Sequence, residues 1–129
     1  KFRLEERIGA GNFGAVYRAH HLDLDHEVAL KLLLPSVTGS EESLRRFQLE
    51  GAAACRIQHP NAVQISDAGV TEAGVAYLVM ELLRGTSLAQ MMRTSGRRLP
   101  PRRCLEILGP VCDVLAEAQD MVHLAKHDG

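Results

Sequence analysis

Three glycines, one lysine and one glutamate are the residues in this sequence best placed to do chemistry. Gly9, Gly11 and Gly14 stand in the run Ile8-Gly9-Ala10-Gly11-Asn12-Phe13-Gly14-Ala15-Val16-Tyr17. Glycine lets a backbone bend sharply, tolerates positive φ, and has no Cβ to hold an anion away from the N–H groups. After a spacer of ten residues, Val28-Ala29-Leu30-Lys31 brings an ammonium group. Glu50 falls at i+3 from Phe47, on a stripe continued by Ala54 and Ile57. A carboxylate on an apolar stripe is costly unless paired, and Lys31 is the obvious partner. The residues alone leave a second reading of each open. Glu50 can sit at the edge of the stripe and reach water, and Lys31 can be an exposed lysine on a strand edge.

The elements around these residues decide what they serve. A glycine triplet of this spacing also occurs in dinucleotide-binding folds, where a helix opens directly after the turn. Here Ala15-Val16-Tyr17-Arg18-Ala19 is β-branched and aromatic with alternating character, so it reads as a strand. The glycines therefore form a flap between two strands, and a dehydrogenase-type reading is disfavoured. Phe2, Leu4, Glu6 and Ile8 alternate with charged residues, predicting a half-buried first strand. The second strand spans roughly 14–21, and Asp23 to His26 reads as a turn. In the third strand Val28, Leu30 and Leu32 share one face; Ala29, Lys31 and Leu33 share the other. The small Ala29 beside Lys31 leaves room for a flat ring next to a phosphate.

After a loop from Pro35 to Ser40, Thr38 and Glu41 have the spacing of a capping box for a helix over 41–57. Residues 62–65 and 75–80 read as two strands joined through Thr71-Glu72-Ala73-Gly74. A short helix is expected over 87–93 and a loop over 94–99. Pro100-Pro101 then opens another helix, with Leu105, Leu108, Cys112, Leu115 and Gln119 on one stripe. Pro110 inside it predicts a bend or break near Leu108, since an interior proline costs about 3 kcal/mol.

The glycine flap and lysine strand together resemble the Gly-rich loop and lysine strand of the protein kinase family. Arg45-Arg46-Phe47-Gln48-Leu49-Glu50, followed by His59-Pro60-Asn61, is similar to bacterial-type serine/threonine kinases. The resemblance implies an α+β fold: a five-stranded antiparallel sheet with one packed helix, then a hinge and the helices of an incomplete helical lobe. It divides the chain into an ATP-binding small lobe at 1–81, a hinge at 82–86 and a partial large lobe at 87–129. It implies ATP as cofactor, with Mg²⁺ in an intact enzyme. Lys31 and Glu50 would be the catalytic pair, joined as an ion pair with Lys31 on the α- and β-phosphates. Ile8, Gly9, Ala10, Gly11, Asn12, Phe13 and Gly14 would line the nucleotide. Val16 and Ala29 would cover the purine. Met80 would stand beside it, and the backbone of Glu81 and Leu83 would hydrogen-bond its edge. His59 would be a structural loop residue.

The resemblance weakens towards the end of the chain. Val122-His123 matches the start of the family's His-Arg-Asp segment, but Leu124-Ala125 stand where Arg and Asp belong. No Asp-Phe-Gly follows, so the catalytic Asp and the metal-binding Asp and Asn are missing from these residues. The expectation is that the intact kinase phosphorylates Ser or Thr of proteins, and that this chain alone is inactive. The alternative is a non-catalytic, pseudokinase-like module that binds nucleotide or a partner. Because the chain starts at Lys1, a cut from something longer is the expectation.

Bulk properties exclude other classes. Net charge is −1 over 129 residues, so no global field recruits nucleic acid. The arginines at 93, 97, 98, 102 and 103 read as a solvated loop and helix start. No apolar run is long enough to span a bilayer. The three cysteines Cys55, Cys104 and Cys112 form no Cys-x-x-Cys pair, which suits reduced thiols and a cytoplasmic setting. His123 and His127 sit at i, i+4 but lack further ligands, and His20-His21 point to opposite strand faces, so no metal site is expected. The apolar stripe at Leu105, Leu108 and Leu115 is expected to be exposed or to self-associate.

Overall fold

The computed structural model describes residues 1–12, 14–35, 39–96 and 98–127, with side chains described through residue 120. Phe13 of the flap, Thr38 of the expected capping box, Arg97 and the side chains of His123 and His127 lie outside the described residues. The chain divides into two compact units, residues 1–58 with 63–83, and residues 59–62 with 84–129.

The first unit is a five-stranded antiparallel sheet with one helix. Its elements are β1 (Phe2–Gly11), β2 (Gly14–His21), β3 (His26–Leu33), α1 (Glu41–Ala54), β4 (Ile65–Val70) and β5 (Ala76–Met80). The strand order is β1-β2-β3-β5-β4. Ala19, Val28, Leu30 and Val79 form the buried core, with Phe2, Leu32 and Tyr77 packed against it. Each buried Val or Leu contributes about 1.5–3 kcal/mol, which fixes β2, β3 and β5 as the centre of the sheet.

β2 occupies the residues its sequence predicts. β1 differs from expectation: Leu4 is 46 % and Ile8 49 % exposed, so the strand is not half-buried. Register shifts between Leu4 and Glu6 and between Arg7 and Gly9 interrupt the alternation. A bulge breaks the period of two and re-aims side chains. One result is that the consecutive residues Glu5 and Glu6 both approach the Arg18 guanidinium, at 3.4 and 3.5 Å. The fourth strand lies at Ile65–Val70 instead of 62–65. Pairing with β5 places Asp67, Ala68 and Gly69 in the ladder despite their poor strand propensity. The β4–β5 turn closes as expected, with Thr71 N donating to Val75 O at 2.9 Å and Gly74 N to Thr71 O at 2.9 Å.

α1 begins at Glu41, but its N-cap is Ser40, whose Oγ accepts from Ser43 N at 3.1 Å. It ends at Ala54, three residues before the expected Ile57. There Arg56 N and Ile57 N donate to Ala53 O and Ala54 O, a tightening last turn. The half-buried and buried positions are Ser43, Leu44, Phe47, Gly51 and Ala54. Glu50 is not on that stripe.

The second unit contains α2 (Leu88–Thr94) and α3 (Pro101–His127). Ser87 caps α2, accepting from Gln90 N at 3.2 Å. α3 runs through Pro110 without the expected break. Proline's ring crowds the Cβ of the preceding residue, and Gly109 has none, which relieves the clash. The covered positions through residue 120 are Cys104, Ile107, Pro110, Val114, Glu117 and Ala118. Leu88, Met92, Leu99, Cys104 and Ile107 surround a cavity of about 400 Å³ between the two helices. Leu105, Leu108 and Leu115 are 74, 52 and 62 % exposed, so the apolar stripe read from sequence faces outward. His59 accepts from Asn61 N through Nδ1 at 3.0 Å and sets Nε2 3.9 Å from Glu117, tying its loop to α3. Among the described residues no helix is long and apolar enough to cross a membrane.

Candidate functional site

Register assembles the candidate residues, because directly opposed residues of neighbouring strands share a face. Gly9 opposes Val16, Val16 opposes Lys31, and Lys31 opposes Leu78. Two residues back along β3, Ala29 opposes Met80. The strand period puts Ala29 and Lys31 on the same face. Gly9, Val16, Ala29, Lys31 and Met80 therefore share one surface. Ala29 is buried, while Val16, Lys31 and Met80 are half-buried.

The glycines have different roles. Gly14 has φ +153°, and a Cβ there would collide with the Leu32 carbonyl oxygen and lie 3.1 Å from Leu33 Cα. That oxygen belongs to the β2–β3 ladder and has no room to yield. A Cβ at Gly9 would meet Val16 Cβ at 3.9 Å, and one at Gly11 would meet nothing within 4 Å. Gly11 therefore leaves open space at the tip of the β1–β2 hairpin, while a Cβ at Gly9 would make an ordinary contact. Of the three glycines only Gly14 takes positive φ, so the sharp bend is concentrated there. Ile8, Ala10, Gly11 and Asn12 of the same tip are exposed.

α1 lies on the Lys31 side of the sheet. Gly51 is buried, and a Cβ on it would fall 2.6 Å from Ala68 Cβ and 3.7 Å from Leu78 Cδ2. Leu78 is the residue opposite Lys31, so the helix reaches the lysine's neighbourhood. It presents Gly51 there and leaves Glu50 exposed. Among the described residues no ion pair joins Lys31 to Glu50. Gly51 was not singled out from sequence, although an interior helix glycine costs about 1 kcal/mol and calls for a reason.

Beyond β5, Glu81 and Leu83 are exposed, Leu83 by 64 %. Glu81 N donates to Gln64 O at 3.0 Å, and Gln64 N donates to Glu81 Oε1 at 2.8 Å. Gln64 Nε2 also reaches Ile65 O at 3.2 Å. Nothing local in the sequence signals this contact, which joins residues far apart in the chain. The opposite face of the sheet bears a groove of about 690 Å³ lined by Phe2, Leu30, Leu32, Val75 and Tyr77. There burial, with the charge and hydrogen bond of Asp67, raises the Tyr77 phenol above its ordinary pKa.

Residues 2–123 match the family model described as protein kinase domain. The chain is 36 % identical over 118 residues to the serine/threonine-protein kinase pkn3 of Myxococcus xanthus, covering 92 % of this chain and 21 % of that protein. It is 34 % identical over 118 residues to the serine/threonine-protein kinase PrkC of Bacillus subtilis, covering 92 % of this chain and 18 % of that protein. The solved PknI kinase domain of Mycobacterium tuberculosis superposes with a TM-score of 0.82 at 28 % identity, over 92 % of this chain and 49 % of that one. The chain thus spans about a fifth of these curated relatives and about half of the solved domain. The five-stranded antiparallel sheet and its helices match that domain's fold. A family match over almost every residue, carried by a sheet of the same build, leads to one conclusion: the chain belongs to the protein kinase family, with bacterial serine/threonine kinases among its relatives.

Proposed function

We propose that this chain is the ATP-binding portion of a serine/threonine protein kinase, with a small lobe at 1–81, a hinge at 82–86 and the start of a helical lobe at 87–129. One observation carries the reading: the flap glycine Gly9, the cover residues Val16 and Ala29, Lys31 and Met80 lie on one sheet face. Open space at Gly11, where a Cβ would stand, fits a close approach of phosphate to the backbone. Bound ATP supplies the γ-phosphoryl group that the intact kinase passes to a Ser or Thr hydroxyl. The residues here bind and orient it. Lys31 neutralises charge on the α- and β-phosphates. Val16 and Ala29 shield the purine from water, and the backbone of Glu81 and Leu83 takes its polar edge.

Glu50 joins Lys31 in this reading only when α1 turns by about one residue, roughly 100°. In this reading Mg²⁺ belongs to the intact kinase, where the family's Asp and Asn would hold it. The reading includes a cytoplasmic setting for the kinase and phosphorylation of Ser or Thr of proteins by the intact enzyme.

The test is thermal unfolding with and without Mg·ATP, with Lys31→Met as control. Ligand at a hundredfold excess over Kd stabilises by about 2.7 kcal/mol, a shift of several degrees. No shift in the parent sinks the reading. A second reading, a non-catalytic nucleotide- or partner-binding module, is favoured by Leu124-Ala125 where the resemblance puts Arg and Asp. Labelled-phosphate transfer should then be absent; transfer that depends on Lys31 overturns it.

A further inference from the structure

The cavity of about 400 Å³ between α2 and α3 belongs to the second unit alone and has no part in the nucleotide reading. Leu88 and Met92 come to it from α2, Ile107 and Leu108 from α3. The rest of the wall is Leu99, Cys104 and one charged residue, Arg98. Hydrogen bonds hold the connection between the helices at both ends. Ser95 N donates to Met91 O at 3.0 Å and Arg98 N to Ser95 O at 3.4 Å. Cys104 N donates to Pro100 O at 3.1 Å, and Cys104 Sγ to Leu99 O at 3.8 Å. Leu88, Met92 and Leu108 are exposed, so the cavity opens to water. Arg98 is exposed as well. An arginine on an apolar wall lays its methylenes on that wall and keeps its guanidinium in water. Among the described residues no carboxylate pairs with Arg98. By contrast, Arg102 and Arg103 both reach Glu106, at 3.4 and 3.1 Å. The cavity thus combines an apolar interior with one uncompensated positive charge.

We propose that this cavity binds a medium-chain aliphatic carboxylate, with the chain between α2 and α3 and the carboxylate on Arg98. Small-ligand pockets are mostly apolar, with a few polar groups that fix orientation. At roughly 30 Å³ per water-sized group, the cavity takes about a dozen non-hydrogen atoms, the size of decanoate. The guanidinium fork matches one carboxylate with two parallel N–H donors. A phosphate monoester brings a second charge that nothing on this wall compensates. The chain removes the exposed faces of Leu88, Met92 and Leu108 from water. An alcohol of the same length keeps that gain and loses the charge contact. An amine of the same length sets like charge against Arg98.

Cys104 reports occupancy, because its half-buried thiol lines the cavity. The chain is alkylated with and without sodium decanoate, and mass spectrometry follows Cys104 together with Cys55 of the first unit as control. Decanoate should slow alkylation of Cys104 several-fold and leave Cys55 unchanged. Decanol should protect more weakly, and decylamine least. Arg98→Met keeps the apolar wall and removes the charge. It should raise the decanoate concentration for half-protection about tenfold and leave that for decanol unchanged. Arg98→Gln serves in the same way if circular dichroism shows that Arg98→Met does not fold. Absent protection, or equal protection at Cys55, overturns the proposal. So does decanol or decylamine protecting as well as decanoate, or an Arg98→Met that weakens decanoate and decanol alike. Protection of Cys104 that grows with protein concentration alone puts a second copy of the chain in the cavity and also overturns it.

Discussion

Replacing Gly14 by alanine tests whether the flap's bend is fixed by the backbone of β3. The added Cβ would run into the Leu32 carbonyl oxygen, with the Leu32 carbonyl carbon 3.0 Å and Leu33 Cα 3.1 Å away. All three atoms are main chain of a central strand, so no rotamer change relieves the contact. A φ of +153° adds its own penalty for any residue with a side chain. The backbone term is about 1–3 kcal/mol. Forcing an atom into an occupied site costs about another 1–3 kcal/mol. The sum, about 2–6 kcal/mol, is a large part of the roughly 5–15 kcal/mol that holds a domain folded. At about 4 °C per kcal/mol, Gly14→Ala should melt at least about 8 °C below the parent by calorimetry or circular dichroism. Gly11→Ala is the control, because its Cβ meets nothing within 4 Å; its melting should move by no more than about 1 kcal/mol allows. If Gly14→Ala melts within 2–3 °C of Gly11→Ala (about half a kcal/mol), the steric argument is wrong.

Three further outcomes are expected. Gly51→Ala gains about 1 kcal/mol of helix propensity but sets a Cβ 2.6 Å from Ala68 Cβ, so it should destabilise in chemical denaturation; adding Ala68→Gly should recover the loss, and additive effects would contradict the contact. The raised Tyr77 pKa means the native state keeps a proton that the unfolded chain gives up above pH about 10. That contribution is fully present below this pH and lost as pH rises, so the parent's urea midpoint should fall more steeply than that of Tyr77→Phe in alkaline solution; parallel curves would count against it. Leu105→Lys with Leu115→Lys changes stability by about 0.5 kcal/mol or less per site, since both leucines are exposed, but should lower self-association in sedimentation; a parent already monomeric at high concentration would refute that role.

The alternation of β2 and β3 made the shared face of the candidate residues readable, because a period of two needs no tertiary information to put Ala29 beside Lys31. Where the reading failed, long-range contact overrode local pattern. β1 lost its alternation to two bulges, one of which turns Glu5 and Glu6 together toward Arg18. β4 moved onto Asp67-Ala68-Gly69 because β5 supplied a partner for residues that form poor strands alone. The helix stripe was displaced by one residue since a glycine buries closely without being hydrophobic, and Gly51 hid behind the more conspicuous Glu50. α3 continues through Pro110, where Gly109 removes one of the clashes that a proline makes with the residue before it. The Gln64–Glu81 exchange depends on a side chain standing in for a main-chain acceptor, which no sequence period encodes.

The register shifts in this sheet fall in β1 and β4, while the two ladders that β3 makes, with β2 and with β5, run in unbroken register among the described residues. β3 therefore works as a ruler. Ala29 and Lys31 are two strand residues apart, about 7 Å along a strand that cannot be lengthened without a bulge. One end of that interval lies beside Met80 and the other beside Val16, so the strand sets the distance between a flat group under Ala29 and a charge met by Lys31. Insertion of a single residue between them would lengthen the gauge by about 3.4 Å and turn Lys31 to the opposite face. On the nucleotide reading proposed above, ligands with a shorter or longer reach would then satisfy one end at the expense of the other, and β3 would filter on molecular length as well as on charge.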